Sequence, residues 1–288
     1  MKTYNIILPV FNAGSSLEEC INSIISQTFS DWELLVMDDG SMDNSIDIVS
    51  SFNDKRIKVF QQNNRGAYSA RNELLKKVDA RYVAFIDADD TWKSDKLEKQ
   101  LKIHNMGYDF TCGNMQITCH DCQLDKNNFS VLHNIKHGEV SLKKLLSHKV
   151  NFIVQSTVSI KWSPLRDIGS FVEQKLASDF IQWIRFLDRG DGKFFYDDSI
   201  LGKYRLHENN ISRDMVKKYD EFALGIDKIK NDLTFTTLKL VDLRIKRNSF
   251  LSALKTKNIY RIIYYLTRHP LISFKVFFDQ VLFLIRIK

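Results

Sequence analysis

The first hundred residues constrain the fold most: short apolar runs of strand length alternate with segments of helical periodicity. Asn5-Ile6-Ile7-Leu8 reads as a buried strand. Ser15 and Ser16 follow, each with a glutamate three residues on (Glu18, Glu19), the pattern of a capping box. Leu17, Cys20, Ile21, Ile24 and Ile25 then share one helical face. Glu33-Leu34-Leu35-Val36-Met37 is a second strand, with a short helix expected over 45–52 and a strand over 57–61. A helix is expected over 66–78 with Ala67, Ala70, Leu74 and Val78 inward, and Tyr82-Val83-Ala84-Phe85-Ile86 is the next strand. Such alternation implies an α/β fold, a mostly parallel twisted sheet flanked by helices. Ligands of such sheets bind beyond the carboxyl ends of the strands.

Those strand ends are chemically unusual. Asp87-Ala88-Asp89-Asp90 places three carboxylates within four residues. Crowded like charges are costly unless neutralised. A hard divalent cation with oxygen ligands neutralises them, and such a cation commonly completes its shell with substrate phosphates. The competing reading is an acidic turn that caps the helix starting near Asp95. Asp38-Asp39-Gly40-Ser41 ends the second strand and Pro9-Val10-Phe11-Asn12 ends the first. Three strand ends thus converge on one edge, which favours a metal–phosphate site.

The chain has 288 residues and is 44% apolar, enough for one large domain, alone or with an appendage. Its net charge of +7 suggests a polyanion binder until it is located. Residues 244–288 carry ten Lys/Arg and a single acid, Asp279, whereas residues 1–243 are slightly acidic, so nucleic acid is not expected as a partner. The tail mixes these cations with Phe250, Tyr260, Tyr264, Tyr265, Phe274, Phe277, Phe278 and Phe283. No apolar stretch reaches the roughly 18–20 residues of a membrane span. The composition suits a helix lying in the interface of an anionic membrane; the alternative is a helical appendage packed on the core. The start Met1-Lys2-Thr3-Tyr4-Asn5 carries no signal-peptide pattern, so reduced thiols and a cytoplasmic location, peripheral on the inner face of the cell membrane, are expected. Cys119-His120-Asp121-Cys122 lacks the second pair that a zinc finger requires.

The middle of the chain is less regular. A strand is expected over 152–160, a helix from Ser178-Asp179 with Phe180, Trp183, Ile184 and Leu187 inward, and strands over 193–196 and 199–206. Residues 215–288 read as amphipathic helix.

Four segments, taken in order, resemble the family 2 glycosyltransferases of the GT-A fold: Ile7-Leu8-Pro9-Val10-Phe11-Asn12, Val36-Met37-Asp38-Asp39-Gly40-Ser41 with Asp43, Asn64-Arg65-Gly66 through Ala70-Arg71-Asn72, and Phe85-Ile86-Asp87-Ala88-Asp89-Asp90. Leu176-Ala177-Ser178-Asp179 and Tyr204-Arg205-Leu206-His207 through Ser212 are similar to later motifs of that family. The resemblance implies a nucleotide-sugar-binding half over 1–105, an acceptor and catalytic half over 106–214, and a helical basic aromatic tail over 215–288. It implies that Pro9, Val10, Phe11 and Asn12 wall the uracil and ribose, and that Asp39 accepts from the uracil N–H. Gly66 admits a close backbone approach at a helix N-terminus that favours anions. Arg71 sits near base or diphosphate, or else pairs with Asp38 or Asp39. Asp87 and Ala88 line the ribose side, with Asp87 on ribose or metal-bound water. Asp89 binds Mn²⁺ or Mg²⁺; Asp90 and His207 are further candidate ligands, though Asp90 has orientation of the loop as an alternative role. Arg205 and Arg213 are candidates to steady the diphosphate.

The family's reaction is an inverting displacement, for which Asp179 is the candidate base. The family often carries an acid before it, and this chain has Ser178; a plain helix cap is the alternative role. Asp167, Glu173 and Asp188 are nearby acids without motif support. The implied donor is a UDP-sugar and the implied acceptor a polyprenyl-diphosphate-linked glycan of the O-antigen or capsule type. Neither the Gln-x-x-Arg-Trp motif nor the spans of processive synthases occur, so addition of a single sugar is expected. The rival readings are a sugar nucleotidyltransferase, whose Gly-rich phosphate loop is missing from Pro9 to Ser16, and a non-catalytic sugar-nucleotide binder docked on a membrane. A dehydrogenase is disfavoured because no GxGxxG follows the first strand.

Overall fold

The computed structural model describes residues 1–119, 135–148, 151–190, 192–206, 215–256, 259–269 and 272–273. The alternating half is β1 (Tyr4–Val10), α1 (Leu17–Ile25), β2 (Trp32–Asp38), α2 (Ser45–Ser51), β3 (Ile57–Gln61), α3 (Ala67–Leu75) and β4 (Tyr82–Phe85). There follow β5 (Thr91–Trp92), α4 (Lys96–Asn105), β6 (Phe110–Cys119), β7 (Gly138–Glu139), α5 (Leu142–Ser147), β8 (Ser159–Lys161), α6 (Trp162–Ile168), α7 (Ser178–Asp188) and β9 (Phe194–Leu206). The last helices are α8 (Met215–Ile229), α9 (Phe235–Lys255) and α10 (Ile259–Arg268).

Among the described residues the strands form one sheet in the order β3-β2-β1-β4-β8-β6-β9-β5, with β7 on β9. The β3-β2-β1-β4 half is parallel throughout. Beyond β4 the sheet is mixed: β8 is antiparallel to both neighbours, while the long β6–β9 ladder is parallel. Every residue of β1 is buried, as expected of a strand covered on both faces. The period of two sends Ile6, Leu8 and Val10 into a core with Leu17, Ile21 and Ile24 of α1. Ile7 enters the opposite core with Leu74, Phe85 and Trp183. Trp183 packs edge-on to Phe85 and Phe171 at 5.8 and 5.7 Å.

Several local expectations are corrected. Ser16 precedes α1 but forms no side-chain cap; its hydroxyl donates to the Ala88 carbonyl at 2.9 Å, tying α1 to the acidic loop. Ala67 is exposed, since the inward face of α3 begins only at Ser69 and Ala70. The strand expected over 152–160 is a 3-10 turn, Gln155–Thr157, followed by the short β8. Within this polar triplet Ser156 bonds Asp87 N–H and Asp90, and Thr157 accepts from Gly113 N–H. The two strands expected over 193–206 are one strand with a bulge opposite Gly113 and Asn114. Gly202 lets β9 approach β5; a Cβ there would collide with the Thr91 carbonyl oxygen.

Part of the basic tail belongs to the core. Phe222, Ile226, Ile229, Leu233 and Val241 are buried in the same cluster as Trp183. Arg244 is 5% exposed and donates to the carbonyls of Leu145, Leu146 and His148 at 3.1, 3.0 and 2.9 Å. It thereby satisfies the C-terminal carbonyls of α5. Phe250 is likewise buried and meets Tyr265 edge-on. The packed-appendage alternative therefore holds for α8 and α9. On α10, Tyr260, Ile263 and Tyr264 are exposed, while residues 274–288 lie outside the described residues. Among the described residues no helix is long and apolar enough to cross a membrane.

His104 illustrates how the sheet's back face is fixed. Its ring stacks on Tyr82 at 4.1 Å, with Nδ1 2.8 Å from the Tyr108 carbonyl and Nε2 2.7 Å from Ser159 Oγ. A carbonyl only accepts, so Nδ1 carries the proton and Nε2 accepts from the hydroxyl. Burial pushes His104 down from 6.5 to about 4. Between those values the unfolded chain takes a proton that the folded chain refuses, so stability falls as pH drops from 6.5 towards 4 and is unaffected above that window. The expected slope is roughly 1.4 kcal/mol per pH unit in urea unfolding. His104→Gln should flatten it, and an equal slope in that variant would contradict the assignment.

Candidate functional site

The ends of β1, β2 and β4 meet at one edge. Pro9 and Val10 are buried within β1, so the exposed part of this segment is Phe11, 49% exposed, followed by Asn12. Asn12 is left-handed (φ 48°), a conformation costly for a residue with a Cβ. It is held there by its own N–H donating to Ser41 Oγ at 3.0 Å and its Oδ1 accepting from Met42 N–H at 2.8 Å. The turn after β2 thus fixes the end of β1.

Asp39 is 2% exposed. Its Oδ1 accepts from Gln62 Nε2 at 2.7 Å and from Arg65 N–H at 2.9 Å, and its Oδ2 from Gly66 N–H at 2.7 Å. A carboxylate has about four acceptor positions, so three are spent on the loop before α3. Gly66 has φ 93°, which only glycine adopts readily, and a Cβ there would meet nothing within 4 Å. Its role is conformational, and the space in front of it is open.

The acidic loop is held from beneath by Ser156. Asp87 N–H donates to Ser156 Oγ at 3.0 Å, that hydroxyl donates to Asp90 Oδ2 at 2.5 Å, and Trp92 Nε1–H donates to the Ser156 carbonyl at 2.6 Å. Asp90 Oδ1 accepts from Arg205 N–H at 3.2 Å. Asp90 is 1% exposed, and burial, together with the charges of Asp89 and Asp87, pushes its carboxyl well above the usual range. Of its two candidate roles, the geometry favours orientation of the loop. Asp87 and Asp89 are half-buried at the mouth. Arg205 donates from Nε to the Asp89 carbonyl at 3.2 Å and pairs through Nη2 with Glu19.

Arg71 is 4% exposed and pairs with Asp87, not with Asp38 or Asp39. Asp38 instead accepts from Ser41 N–H at 3.2 Å, and Asp39 is occupied by the loop. The guanidinium carbon lies 4.8 Å over the Tyr68 ring. The Tyr68 hydroxyl in turn stands 3.4 Å from Asp179 Oδ1. Asp179 lies in the first turn of α7, directly after Ser178 and the left-handed Ala177 (φ 62°). Ser178 donates to the Val172 carbonyl, and Asn72 of α3 clamps Phe171 by donating to its carbonyl at 3.0 Å and accepting its N–H at 2.8 Å. α3 therefore holds both the acidic loop and the segment that delivers Asp179.

The other acids have partners of their own: Asp167 pairs with Arg166, Asp188 bonds Thr234, and Glu173 pairs with Arg65 of the loop before α3. His207 and Arg213, and the 120–122 part of the CxxC segment, lie outside the described residues. Ser156 and Tyr68 are site residues that sequence reasoning missed. For Ser156 the signal was the polar triplet inside an apolar run; for Tyr68 there was none beyond its place two residues after Gly66. Two open grooves of about 410 Å³ flank the edge, one beside Gln62 and Arg65, the other beside Glu19 and Trp92. Among the described residues, His137, Asp197 and Asp198 bring ligand atoms within 4.8 Å of one another, but they sit at the bulge of β9, away from the acidic loop.

Chemically, the edge offers two half-exposed carboxylates beside a paired guanidinium. A third carboxylate faces them across a tyrosine. This donor set contains only hard oxygens, which suits Mg²⁺ or Mn²⁺ and not a thiolate-binding metal.

The profile of the family described as "Glycosyl transferase family 2" matches residues 5–169. The curated relative named UDP-Glc:alpha-D-GlcNAc-diphosphoundecaprenol beta-1,3-glucosyltransferase WfgD, from Escherichia coli, is 31% identical over 255 residues, 85% of this chain and 95% of that protein. The putative teichuronic acid biosynthesis glycosyltransferase TuaG of Bacillus subtilis is 32% identical over 214 residues, 72% of this chain and 81% of its own. Among solved structures, S. aureus TarS 1-349 in complex with UDP-GlcNAc superposes with a TM-score of 0.68 at 22% identity, covering 87% of this chain and 73% of that one. The mannosyltransferase PcManGT from Pyrobaculum calidifontis in complex with GDP-Man and Mn²⁺ gives 0.64 at 14% identity, covering 98% and 80%. At those identities the two structures show the fold.

Proposed function

The chain belongs to the family 2 glycosyltransferases, and we propose that it moves one hexose or N-acetylhexosamine from a UDP-sugar to a hydroxyl of a lipid-linked glycan precursor, with inversion. The observation that carries the reading is the approach of Asp179, through Tyr68 and Arg71, to the acidic loop that ends β4. The WfgD relative acts from UDP-Glc on a GlcNAc-diphosphoundecaprenol by its name, and its 31% identity over 85% of this chain supports the same substrate class here.

Asp89 and Asp87 would hold the divalent cation, with Asp90 orienting the loop beneath them. When bound, that cation supplies charge neutralisation for the leaving diphosphate. The chain's own residues do the rest. Asp39 keeps one acceptor position for a base-edge N–H while pinning the loop before α3. Phe11 offers an exposed ring beside the nucleoside. Arg71 keeps its positive charge beside the loop because Asp87 compensates its burial. Asp179 accepts the proton of the acceptor hydroxyl as its oxygen attacks the anomeric carbon. A single displacement of this kind inverts that carbon.

The exposed Tyr260, Ile263 and Tyr264 of α10, with the Lys/Arg of the tail, suit an anionic membrane surface, where a lipid-linked acceptor would be presented. The test is transfer from a panel of UDP-sugars to a synthetic GlcNAc-diphospholipid in anionic vesicles. Transfer abolished by EDTA, with the protein floating on the vesicles in low salt, is expected. Absence of transfer from every UDP-sugar would sink the donor class, and failure to float would sink the membrane contact.

A further inference from the structure

Tyr68 is the least explained residue of the site. It stands in the first turn of α3, between two charged partners that belong to different parts of the chain. Its ring is tilted against Phe171 at 5.9 Å on one side and carries the Arg71 guanidinium on the other. Its hydroxyl points to Asp179 Oδ1. A phenol at that position can only donate to an ionised carboxylate, because the carboxylate has no proton to give. Burial and the Asp179 charge hold the phenol well above its ordinary value, so it remains protonated across the physiological range.

We propose that Tyr68 is a positioning residue for Asp179: its hydroxyl holds the carboxylate in orientation, while its ring carries the Arg71 that pairs with Asp87. The proposal rests on the reading of Asp179 as the base. It gives one side chain a hold on both halves of the reaction. The ionisable groups facing Asp179 are the neutral Tyr68 phenol and the charged Arg71 from α3, with Asp87 of the acidic loop on the far side of Arg71. Among these, Tyr68 is the group whose hydrogen bond to the Asp179 carboxylate can be deleted without changing net charge or ring packing.

Tyr68→Phe keeps the ring under Arg71 and removes only the hydroxyl. Without that donor the carboxylate loses the contact that sets its orientation towards the acceptor hydroxyl. The plateau rate should fall about tenfold from lost orientation, with KM for the UDP-sugar unchanged. Calorimetric titration of the full chain with UDP separates lost orientation from damage to the donor side. An affinity equal to that of the unaltered chain is expected for Tyr68→Phe. An unchanged kcat in Tyr68→Phe, or a change confined to KM for the UDP-sugar, alongside an inactive Asp179→Asn, would overturn the proposal and leave the base reading standing. An active Asp179→Asn would overturn the base reading itself and the proposal with it.

Discussion

Asp89→Asn is expected to remove Mn²⁺-dependent UDP binding, with calorimetric affinity falling about 100-fold or more, roughly 2.7 kcal/mol. The substitution keeps the shape of the side chain and deletes its charge. Asp89 is half-buried at the mouth, whereas Asp90 behind it is buried and bonded to Ser156 and Arg205. Arg205 Nε reaches the backbone carbonyl of Asp89, so that anchor of the loop survives in the variant. A loss of binding with an unchanged unfolding midpoint would therefore report ligation and not collapse of the loop. Equal UDP affinity in Mn²⁺ and in EDTA for both proteins would remove Asp89 as a metal ligand.

The second large effect concerns the other side of the site. In Asp179→Asn the carboxamide can no longer accept the acceptor proton, and turnover should fall about 10²–10⁴-fold. UDP binding should persist, because Asp179 enters from α7 and not from the strand ends that would hold the nucleotide. The two variants thus separate: one loses the donor and the other loses only the chemistry. Near-normal turnover in Asp179→Asn would mean that another group takes the proton. Asp167 and Asp188 are unpromising replacements, since their partners are Arg166 and Thr234; Glu173, paired with Arg65 of the loop before α3, is the acid to test next.

What was legible in the sequence was local. β1 and α7 fall where periodicity places them, because a buried strand or an amphipathic helix announces itself through its own neighbours. The carboxylates at the strand ends were legible for the same reason: topology puts every parallel strand end on one edge. Pairings across the fold were not legible. Arg71 had two plausible aspartates in its own half and took a third, Asp87, because Asp39 was already spent on Gln62, Arg65 and Gly66. Arg244 was counted as a surface cation of a basic tail, yet it is buried against the end of α5.

The amino-acid sequence by itself determined the α/β class and the edge at which the acidic motifs gather, since both depend on order and spacing along the chain; Asp179 as the candidate base was implied by the resemblance of its motif. Only the tertiary structure decided that Asp90 lies beneath the loop, that Ser156 holds it, and that Tyr68 joins Asp179 to Arg71. Ser156 and Asp90 are 66 positions apart, and Tyr68 and Asp179 are 111. Which of several chemically equivalent partners a buried polar group takes is settled by packing and by what its rivals already hold, and neither is written locally in the chain.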